Sequence, residues 1–593
     1  MLGRPTRRRA RLAAAALLLA ALPAAPAAAA GDPIMPLSQV SHGMRCTGYT
    51  VLRGTDISSF DVEVIDVVAG DAAGRQPLIL VRVSGPAVEG LGIGEGFSGS
   101  PIYCPDAQGT QRVIGAIAYG SGDYGNNVGL AQPIESMLGL PVRPPTGTRL
   151  DPRVRHAKAL AGPLTVSGLA PEVAGPLQRL ARRAGRSLAV APIAPVGDVF
   201  PVQVLRPGSS LAVGISSGDI GVGALGTVTY VDGSTVYGFG HPLDGAGRRS
   251  LFLQDGYVYT TIGNPIDSGQ QVTQKIGAPG HDLGTLTSDG RTGVVGVVGA
   301  LPPHTALHVS SQDADTGAKQ EVLDVSVADE TDVGLPLGVT ALGFVVPLAV
   351  AQAAYTTLDA SPVLQSDSLC LKITLRERAA PMGFCNSYVG GFGGTGGDSG
   401  SLPGGPFLSD IGEALTDVDA YNFSTPHVSR VDVDLLMARG LRQSFITRVR
   451  APKVLRAGQD FTLSLSLQRV RGLASVRTVR AHVPAGLGSG RRTLVVTGTP
   501  SDTSGSSTDL TSLLGGGAGS ASSPPDEAGP RSLSALAHEL AAIHRFDGVI
   551  VSFRSPGAKD DVTGRHDPAA PRPLLSDPNL RISGTAKTRV TIR

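Results

Sequence analysis

The stretch Phe60-Asp-Val-Glu-Val-Ile-Asp-Val-Val68 alternates apolar and polar side chains along most of its length. Alternation with a period of two is typical of a β-strand that buries one face. Residues 78–83 and 113–119 are almost entirely apolar and predict strands that are buried more completely. We therefore predict that residues 31–145 form a β domain.

The rest of the chain divides by composition into further regions. Residues 146–204 predict a small α/β connector with one helix over 171–184. Residues 205–345 return to short strands, with a hairpin turn at Asp232-Gly233. Residues 346–425 predict a helix over 348–358 and a glycine-rich loop over 390–405. Residues 426–593 predict a β-sandwich-like domain with a short helix from Leu533 to Ile543 and a flexible insertion over 499–530.

Composition excludes several classes of protein. The 593 residues include 79 Gly and 44 Pro, which interrupt the chain too often for long helical bundles or coiled coils. A hydrophobic fraction of 41% is enough to fill real cores, so wholesale disorder is excluded. The net charge is 51 − 49 = +2, and no long basic run follows the N-terminus. A nucleic-acid partner, which needs a concentrated cationic face, is therefore not expected.

The N-terminal residues have the order of a secretory signal. Arg7, Arg8, Arg9 and Arg11 precede an apolar stretch over 12–22, and small residues follow over 27–30. This order predicts a signal peptide over residues 1–30 and a secreted or cell-envelope protein. No other stretch approaches about 18 uninterrupted apolar residues, so no membrane span is expected after cleavage of the signal.

The four cysteines fall into two pairs that are local in sequence. Cys46 and Cys104 form one pair, and Cys370 and Cys385 form the other. An even number of cysteines in an exported chain predicts disulfides, and of the three connectivities the local one is the simplest. A metal site is not expected, because no two cysteines have the spacing of a zinc motif.

The most informative segment for chemistry is Gly94-Glu-Gly-Phe-Ser-Gly-Ser-Pro-Ile-Tyr103. Glycines on both sides of Ser98 allow a tight turn with backbone angles that other residues resist. Such a turn can direct two backbone N–H groups at one point. With Ser98 as nucleophile, the N–H groups of Gly96 and Ser98 would form the oxyanion hole. Glycine turns that contain serine are also common as purely structural elements.

A nucleophilic serine needs a base, and His241 is the best placed of the 11 histidines. It lies in Tyr237-Gly-Phe-Gly-His-Pro-Leu-Asp244, directly after a predicted strand and next to glycines that expose it. The alternative for His241 is a structural histidine that caps the end of the strand.

Two blocks of the chain resemble the sporulation stage IV B (SpoIVB) serine peptidase family. The first resembles the nucleophile block of that family through Gly96-Phe-Ser-Gly-Ser-Pro-Ile102, Val113-Ile-Gly-Ala-Ile-Ala-Tyr119 and Pro133-Ile-Glu-Ser-Met-Leu138. The second is similar through residues 217–230, 237–243 and 284–291, and the two blocks together cover roughly half of the mature chain. The resemblance implies a trypsin-like double β-barrel core, with the serine-bearing barrel over residues 31–145 and the histidine-bearing barrel over 205–345. Together with the sandwich-like domain, this predicts a mainly β fold. The resemblance also implies Ser98 as nucleophile, His241 as base, a protein or peptide substrate, and neither metal nor organic cofactor.

The chain departs from the family pattern in two respects. Ser98 precedes His241 by 143 residues, whereas the family has the histidine block first. Each partner comes from a different barrel, so the cleft can survive exchange of barrel order, and triads are defined by geometry. The family also carries an aspartate shortly before the serine block, where this chain reads Val83-Ser-Gly-Pro86. The orienting acid is therefore left open among Asp244, Asp282, Asp289 or none.

Two other segments of the sequence resemble functional sites. Gly397-Asp-Ser-Gly-Ser401 also spells a trypsin-like loop, but Leu402-Pro-Gly-Gly-Pro406 follows it where a buried strand would be needed. Asp313-Ala-Asp-Thr-Gly317 resembles the start of a Ca²⁺ loop but lacks the remaining ligands. The sequence therefore predicts an exported serine endopeptidase that acts through Ser98 and His241. The alternatives are a catalytically silent binding protein on the same scaffold and a self-processing protein that cuts its own flexible segment.

Overall fold

The computed structural model describes residues 31–593 apart from 71–75, 121–125, 150–156, 161, 163, 184–187, 191–198, 265–271, 319–321, 332–339, 359–363, 391–405, 499–528, 544–547, 556–573 and 578–579. The structure is mainly β, with 54% strand and 14% helix, which confirms the predicted fold class. The predicted signal peptide, the predicted glycine-rich loop with Ser399 and nearly all of the predicted 499–530 insertion lie outside the described residues.

The first barrel is closed by pairing between its first and last strands in the order β4-β1-β2-β3-β6-β5, because β4 also pairs with β5. A short seventh strand, β7, is added on the outer side of β5. In β2 the predicted alternation holds, so that Phe60, Val62 and Val64 point into the barrel core. The strands are β1 (Arg45–Val51), β2 (Ile57–Val68), β3 (Leu78–Ser84), β4 (Pro101–Pro105), β5 (Gln111–Gly120), β6 (Val128–Pro133) and β7 (Lys158–Ala159). A 3-10 turn (Leu37–Gln39) precedes them, and α1 (Ile134–Met137) follows β6.

The second sheet has thirteen strands, and part of it also closes on itself. Pairing of β10 with β11 completes the circuit β10-β13-β14-β15-β12-β11, which gives the molecule its double-barrel-like core. The predicted hairpin turn is present, since Asp232 pairs with Thr235 and Gly233 has a φ of +59°. The strands are β8 (Leu164–Ser167), β9 (Leu188–Val190), β10 (Ser210–Gly218), β11 (Gly221–Asp232), β12 (Thr235–Gly238), β13 (Gly247–Asn264), β14 (Val272–Gly290), β15 (Gly293–Val298), β16 (His304–Asp313), β17 (Leu323–Ala328), β18 (Gln365–Leu375), β19 (Arg378–Gly390) and β20 (Val428–Arg439).

Helices cover one side of the second sheet. They are α2 (Pro171–Arg183), α3 (Ala341–Leu358), α4 (Pro406–Asp419) and α5 (Leu533–Ala542). The prediction that the helix after Pro347 begins at 348 was wrong, because α3 begins at Ala341 and contains Pro347. The Thr340 hydroxyl caps it, accepting a hydrogen bond from the N–H of Gly343 at 2.9 Å. By length and hydropathy α3 could span a bilayer, but 78% of it is buried inside the molecule.

The C-terminal region forms two facing sheets that share one hydrophobic core. One sheet has the order β24-β23-β21-β28 and the other β22-β29-β25-β26-β27. Two elements of the predicted 426–593 region belong elsewhere: β20 is part of the second sheet, and α5 packs Leu536 and Leu540 into the core beneath that sheet. The strands are β21 (Gln443–Arg450), β22 (Val454–Leu455), β23 (Asp460–Arg469), β24 (Ala474–His482), β25 (Gly490–Gly498), β26 (Gly548–Arg554), β27 (Leu575–Ser576), β28 (Arg581–Ser583) and β29 (Thr585–Ile592).

Both predicted disulfides are present. Cys46 is bonded to Cys104, which joins β1 to β4, and Cys370 is bonded to Cys385, which joins β18 to β19. The two bonds have sequence separations of 58 and 15 residues. Disulfides persist in oxidising compartments, so their presence points to an extracellular environment.

Candidate active site

The turn that carries Ser98 is shaped by glycine and pressed against the second barrel. Gly96 and Gly99 have φ values of +87° and +88°, which L side chains rarely adopt. A Cβ atom on Gly99 would lie 2.0 Å from the carbonyl oxygen of Thr227 in β11, so no larger residue fits there. The Thr227 N–H donates to the carbonyl oxygen of Ser98 at 2.8 Å. Steric contact and hydrogen bonding to β11 therefore fix the turn.

The Ser98 side chain is fully buried. Its exposed fraction is 0%, and its Oγ makes no hydrogen bond within the described part of the chain. The neighbouring backbone is well paired, since the Gly99 N–H donates to the carbonyl oxygen of Ile117 at 2.8 Å. A buried hydroxyl without a partner loses its hydration without compensation, whereas most buried polar side chains do have a partner.

His241 approaches the same place from the second barrel. It follows β12 after Phe239 and Gly240, both of which have positive φ. A Cβ atom on Gly240 would lie 3.4 Å from the Ile117 carbonyl oxygen, the acceptor of the Gly99 N–H. Gly99 and Gly240 thus pack on the same carbonyl group of β5. We call the region where residues 96–100 meet β11 and residues 239–241 the barrel junction; Ser98 and His241 both belong to it, and Ser98 Oγ and His241 Nε2 are not hydrogen-bonded to each other.

The His241 imidazole is buried and uncharged. Its exposed fraction is 0%, and burial lowers its pKa to about 4, so the ring is uncharged at neutral pH. Nδ1 lies 2.7 Å from the carbonyl oxygen of Pro242. A carbonyl can only accept, so Nδ1 carries the proton and Nε2 carries the free lone pair. Nε2 has no hydrogen-bond partner among the residues described.

None of the three candidate acids is hydrogen-bonded to His241 in the described structure. Asp289 instead accepts hydrogen bonds from the N–H groups of Leu243, Asp244 and Gly245 at 2.7–2.9 Å. Asp244 also pairs with the Arg249 guanidinium at 2.6 Å, and Asp282 accepts from Ser217 and Gln254. The group that orients the imidazole is the Pro242 carbonyl. The sequence could not indicate this, because every residue carries a backbone carbonyl.

The two predicted oxyanion donors differ in their surroundings. The Gly96 N–H donates to the carbonyl oxygen of Leu160 at 3.3 Å. The Ser98 N–H makes no hydrogen bond within the described ranges. The Gly96 donor is therefore already directed at a peptide carbonyl oxygen, and that oxygen comes from the segment between the two barrels.

A buried lysine, Lys275, lies beside the turn that carries Ser98, and the sequence did not indicate it. Lys275 in β14 places its Nζ 2.6 Å from Thr50 Oγ1 and 3.4 Å from Thr227 Oγ1. The same atom lies 4.7 Å from the centre of the Phe97 ring. Burial lowers the pKa of this ammonium group to about 7. Thr227 Oγ1 in turn donates to the Gly96 carbonyl oxygen at 3.2 Å, so Lys275 supports the turn through Thr227.

The Asp313 loop is built for an internal role. The Asp313 carboxylate accepts hydrogen bonds from the N–H groups of Asp315 and Thr316 and pairs with the Arg439 guanidinium at 2.8 Å. Across the parts of the chain that are described, no group of three or more His, Cys, Asp or Glu side chains is placed to hold a metal ion.

Comparison with known proteins adds no relative: no family model, no curated protein and no solved structure matches this chain. The interpretation of the barrel junction therefore depends on its own geometry.

Proposed function

We propose that the chain is an exported serine endopeptidase in which Ser98 is the nucleophile and His241 the general base. One observation carries the proposal. Ser98 Oγ comes from the first barrel and His241 Nε2 from the second, and at the barrel junction both are buried without a hydrogen-bond partner in the described structure, each other included. A neutral imidazole with a free Nε2 can accept the proton of a free hydroxyl, and for the reaction the two atoms must approach to hydrogen-bond distance.

The reaction follows from the roles of these atoms. Nε2 of His241 accepts the proton of Ser98 Oγ as the oxygen attacks the carbonyl carbon of a peptide bond. The Gly96 and Ser98 N–H groups stabilise the oxyanion that forms. The C–N bond breaks, the imidazolium gives its proton to the leaving amine, and water hydrolyses the acyl-enzyme by the reverse path.

Within the described residues no carboxylate is hydrogen-bonded to His241, and this lowers the rate of peptide hydrolysis that we expect. The Pro242 carbonyl fixes the imidazole tautomer but brings no full negative charge to stabilise the imidazolium. We therefore expect a dyad that works more slowly than a full triad. Export is supported by the two disulfides, which form and persist in oxidising compartments.

The experiment is labelling with a fluorophosphonate followed by peptide mapping, together with hydrolysis of a fluorogenic peptide library. We expect a stoichiometric adduct on Ser98. Ser98→Ala and His241→Ala should each abolish hydrolysis, and the double variant should be no worse, because the pair acts as a unit. Ser399→Ala is the matched control and should retain full activity. Full activity of Ser98→Ala would refute the proposal.

A catalytically silent binding protein is the second candidate. The observation in its favour is that both Ser98 and His241 are fully buried, so that no substrate reaches them in this conformation. This candidate predicts that no adduct forms on Ser98 at any probe concentration that labels a control serine hydrolase.

A further inference from the structure

The segment of residues 158–160 lies on the first barrel as an added strand. Ala159 pairs with Tyr119 and Lys158 with Gly120, both antiparallel to the end of β5. The N–H of Leu160 donates to the carbonyl oxygen of Ala118 at 2.9 Å. Addition of an extended segment to a free strand edge is a common way for proteins to bind peptides. We call residues 158–160 the inserted segment.

The inserted segment ends at the turn that carries Ser98, over residues 96–100. The carbonyl oxygen of Leu160 accepts the hydrogen bond of the Gly96 N–H at 3.3 Å. A Cβ atom on Gly162, two residues later, would lie 3.8 Å from the Gly96 nitrogen, so the chain passes directly over the turn. The oxygen of the Leu160 carbonyl therefore lies on one of the two predicted oxyanion donors, the Gly96 N–H, as the oxygen of a scissile carbonyl would.

The Leu160 side chain has a defined seat. It is partly buried against the apolar core of the first barrel, whereas Lys158 and Ala159 are exposed. The seat exists because residue 120 is a glycine: a Cβ atom there would lie 2.9 Å from Leu160 Cδ2. A residue larger than glycine at position 120 would require the Leu160 side chain to move.

From these contacts we infer that the inserted segment occupies the acyl-side substrate subsites as an internal inhibitor. An external substrate would bind in the same way: an extended peptide that pairs with the end of β5 and places a leucine-sized apolar side chain over Gly120, next to the scissile bond. The inference rests on the proposed function of Ser98, because the subsites have meaning only beside a nucleophile. The main-chain bonds to Ala118 and Gly96 supply general affinity, and the seat over Gly120 supplies selectivity.

The first test releases the inserted segment. Leu160→Glu places a charge over the apolar seat and should displace the segment. We expect the rate of fluorophosphonate labelling at Ser98, and the hydrolysis of an acetyl-Lys-Ala-Leu fluorogenic peptide, to rise about tenfold or more above wild type. Leu140→Glu makes the same change on the same barrel at a side chain that is 45% exposed, and should leave both rates unchanged.

The second test changes the seat and keeps the inference falsifiable if Leu160→Glu folds poorly. Gly120→Val should displace Leu160 and so accelerate labelling by the small fluorophosphonate. It should also fill the seat, so that the preference for acetyl-Lys-Ala-Leu over acetyl-Lys-Ala-Ala peptides falls about tenfold or more. A variant that is merely destabilised would not show these two effects with opposite sign.

The outcomes separate the inference from the proposed function. If Ser98 is labelled but wild type, Leu160→Glu and Gly120→Val share the same labelling rate and the same peptide preference, the inserted segment is a structural strand and the inference fails alone. If Ser98 is labelled in none of the three proteins while each keeps a cooperative thermal transition, the proposed function fails and the inference fails with it.

Discussion

At His241, burial decides the protonation state, and this has a consequence for stability. The folded pKa of about 4 lies below the usual value of 6.5, so protonation favours the unfolded chain. The neutral state prevails in both forms above pH 6.5, and stability is lost as the pH falls from 6.5 towards 4. We expect His241 to cost the fold about 2 kcal/mol by pH 5.

Urea unfolding at pH 7 and pH 5 measures this effect. His241→Gln keeps a polar side chain of similar size that does not titrate, so it should lose about 2 kcal/mol less than wild type over that interval. An equal loss in the two proteins would show that His241 is protonated as readily in the folded state as in the unfolded one. The His304→Gln variant is the control, because His304 lies outside the barrel junction.

On the scale of single elements, two glycines with the same backbone angle differ in how well they can be replaced. Gly99, in the turn that carries Ser98, should tolerate substitution far less than Gly109. Gly99 and Gly109 both have φ near +85°, but a Cβ atom on Gly99 would lie 2.0 Å from a backbone oxygen, whereas one on Gly109 meets nothing within 4 Å. Gly109→Ala should therefore cost only the backbone strain, about 1 kcal/mol. Gly99→Ala should cost several times more and abolish labelling at Ser98. Thermal melting and fluorophosphonate labelling of the two variants check this, and similar melting temperatures would contradict it.

What the sequence could predict at this scale depends on how local the signal is. The alternation from Phe60 to Val68 and the Asp232-Gly233 turn are encoded within a few residues, and both are present in the structure. Pro347 predicted a helix that begins at 348, but α3 begins at Ala341 and contains the proline. The cap at Thr340 and burial in the core outweigh the hydrogen bond that a proline removes. The sequence around Lys275 does not indicate that this side chain is buried, because its burial depends on strands and a turn that are distant in the chain.

The candidate site shows the same limit. The glycines around Ser98 and His241 mark two turns, and the fold places both at the barrel junction. The partner of the imidazole is a backbone carbonyl and the partner of the Gly96 N–H is Leu160, and neither has a residue-type signature. Contacts between backbones that are distant in sequence can be found only in three dimensions.

For the whole molecule, the disulfides should contribute unequally to stability. A cross-link stabilises mainly by restricting the unfolded chain, and the restriction grows with the length of the closed loop. With separations of 58 and 15 residues, removal of Cys46–Cys104 should cost about 4 kcal/mol and removal of Cys370–Cys385 about 3 kcal/mol. Urea unfolding of the Cys46→Ser/Cys104→Ser and Cys370→Ser/Cys385→Ser proteins measures the two losses. A larger loss from the shorter loop would contradict this account.

The position of the inserted segment also gives the chain an order of assembly in time. A polypeptide leaves the ribosome or an export channel with its N-terminus first, so Ser98 emerges before Leu160, and Leu160 emerges before His241. The first barrel and the inserted segment, which lies on the turn that carries Ser98, can therefore form while His241 is still inside the ribosome or the export channel. On the proposed function, a newly made chain would then carry Ser98 covered by the inserted segment and without its base until the second barrel has formed, which would keep it from cleaving neighbouring proteins during biogenesis.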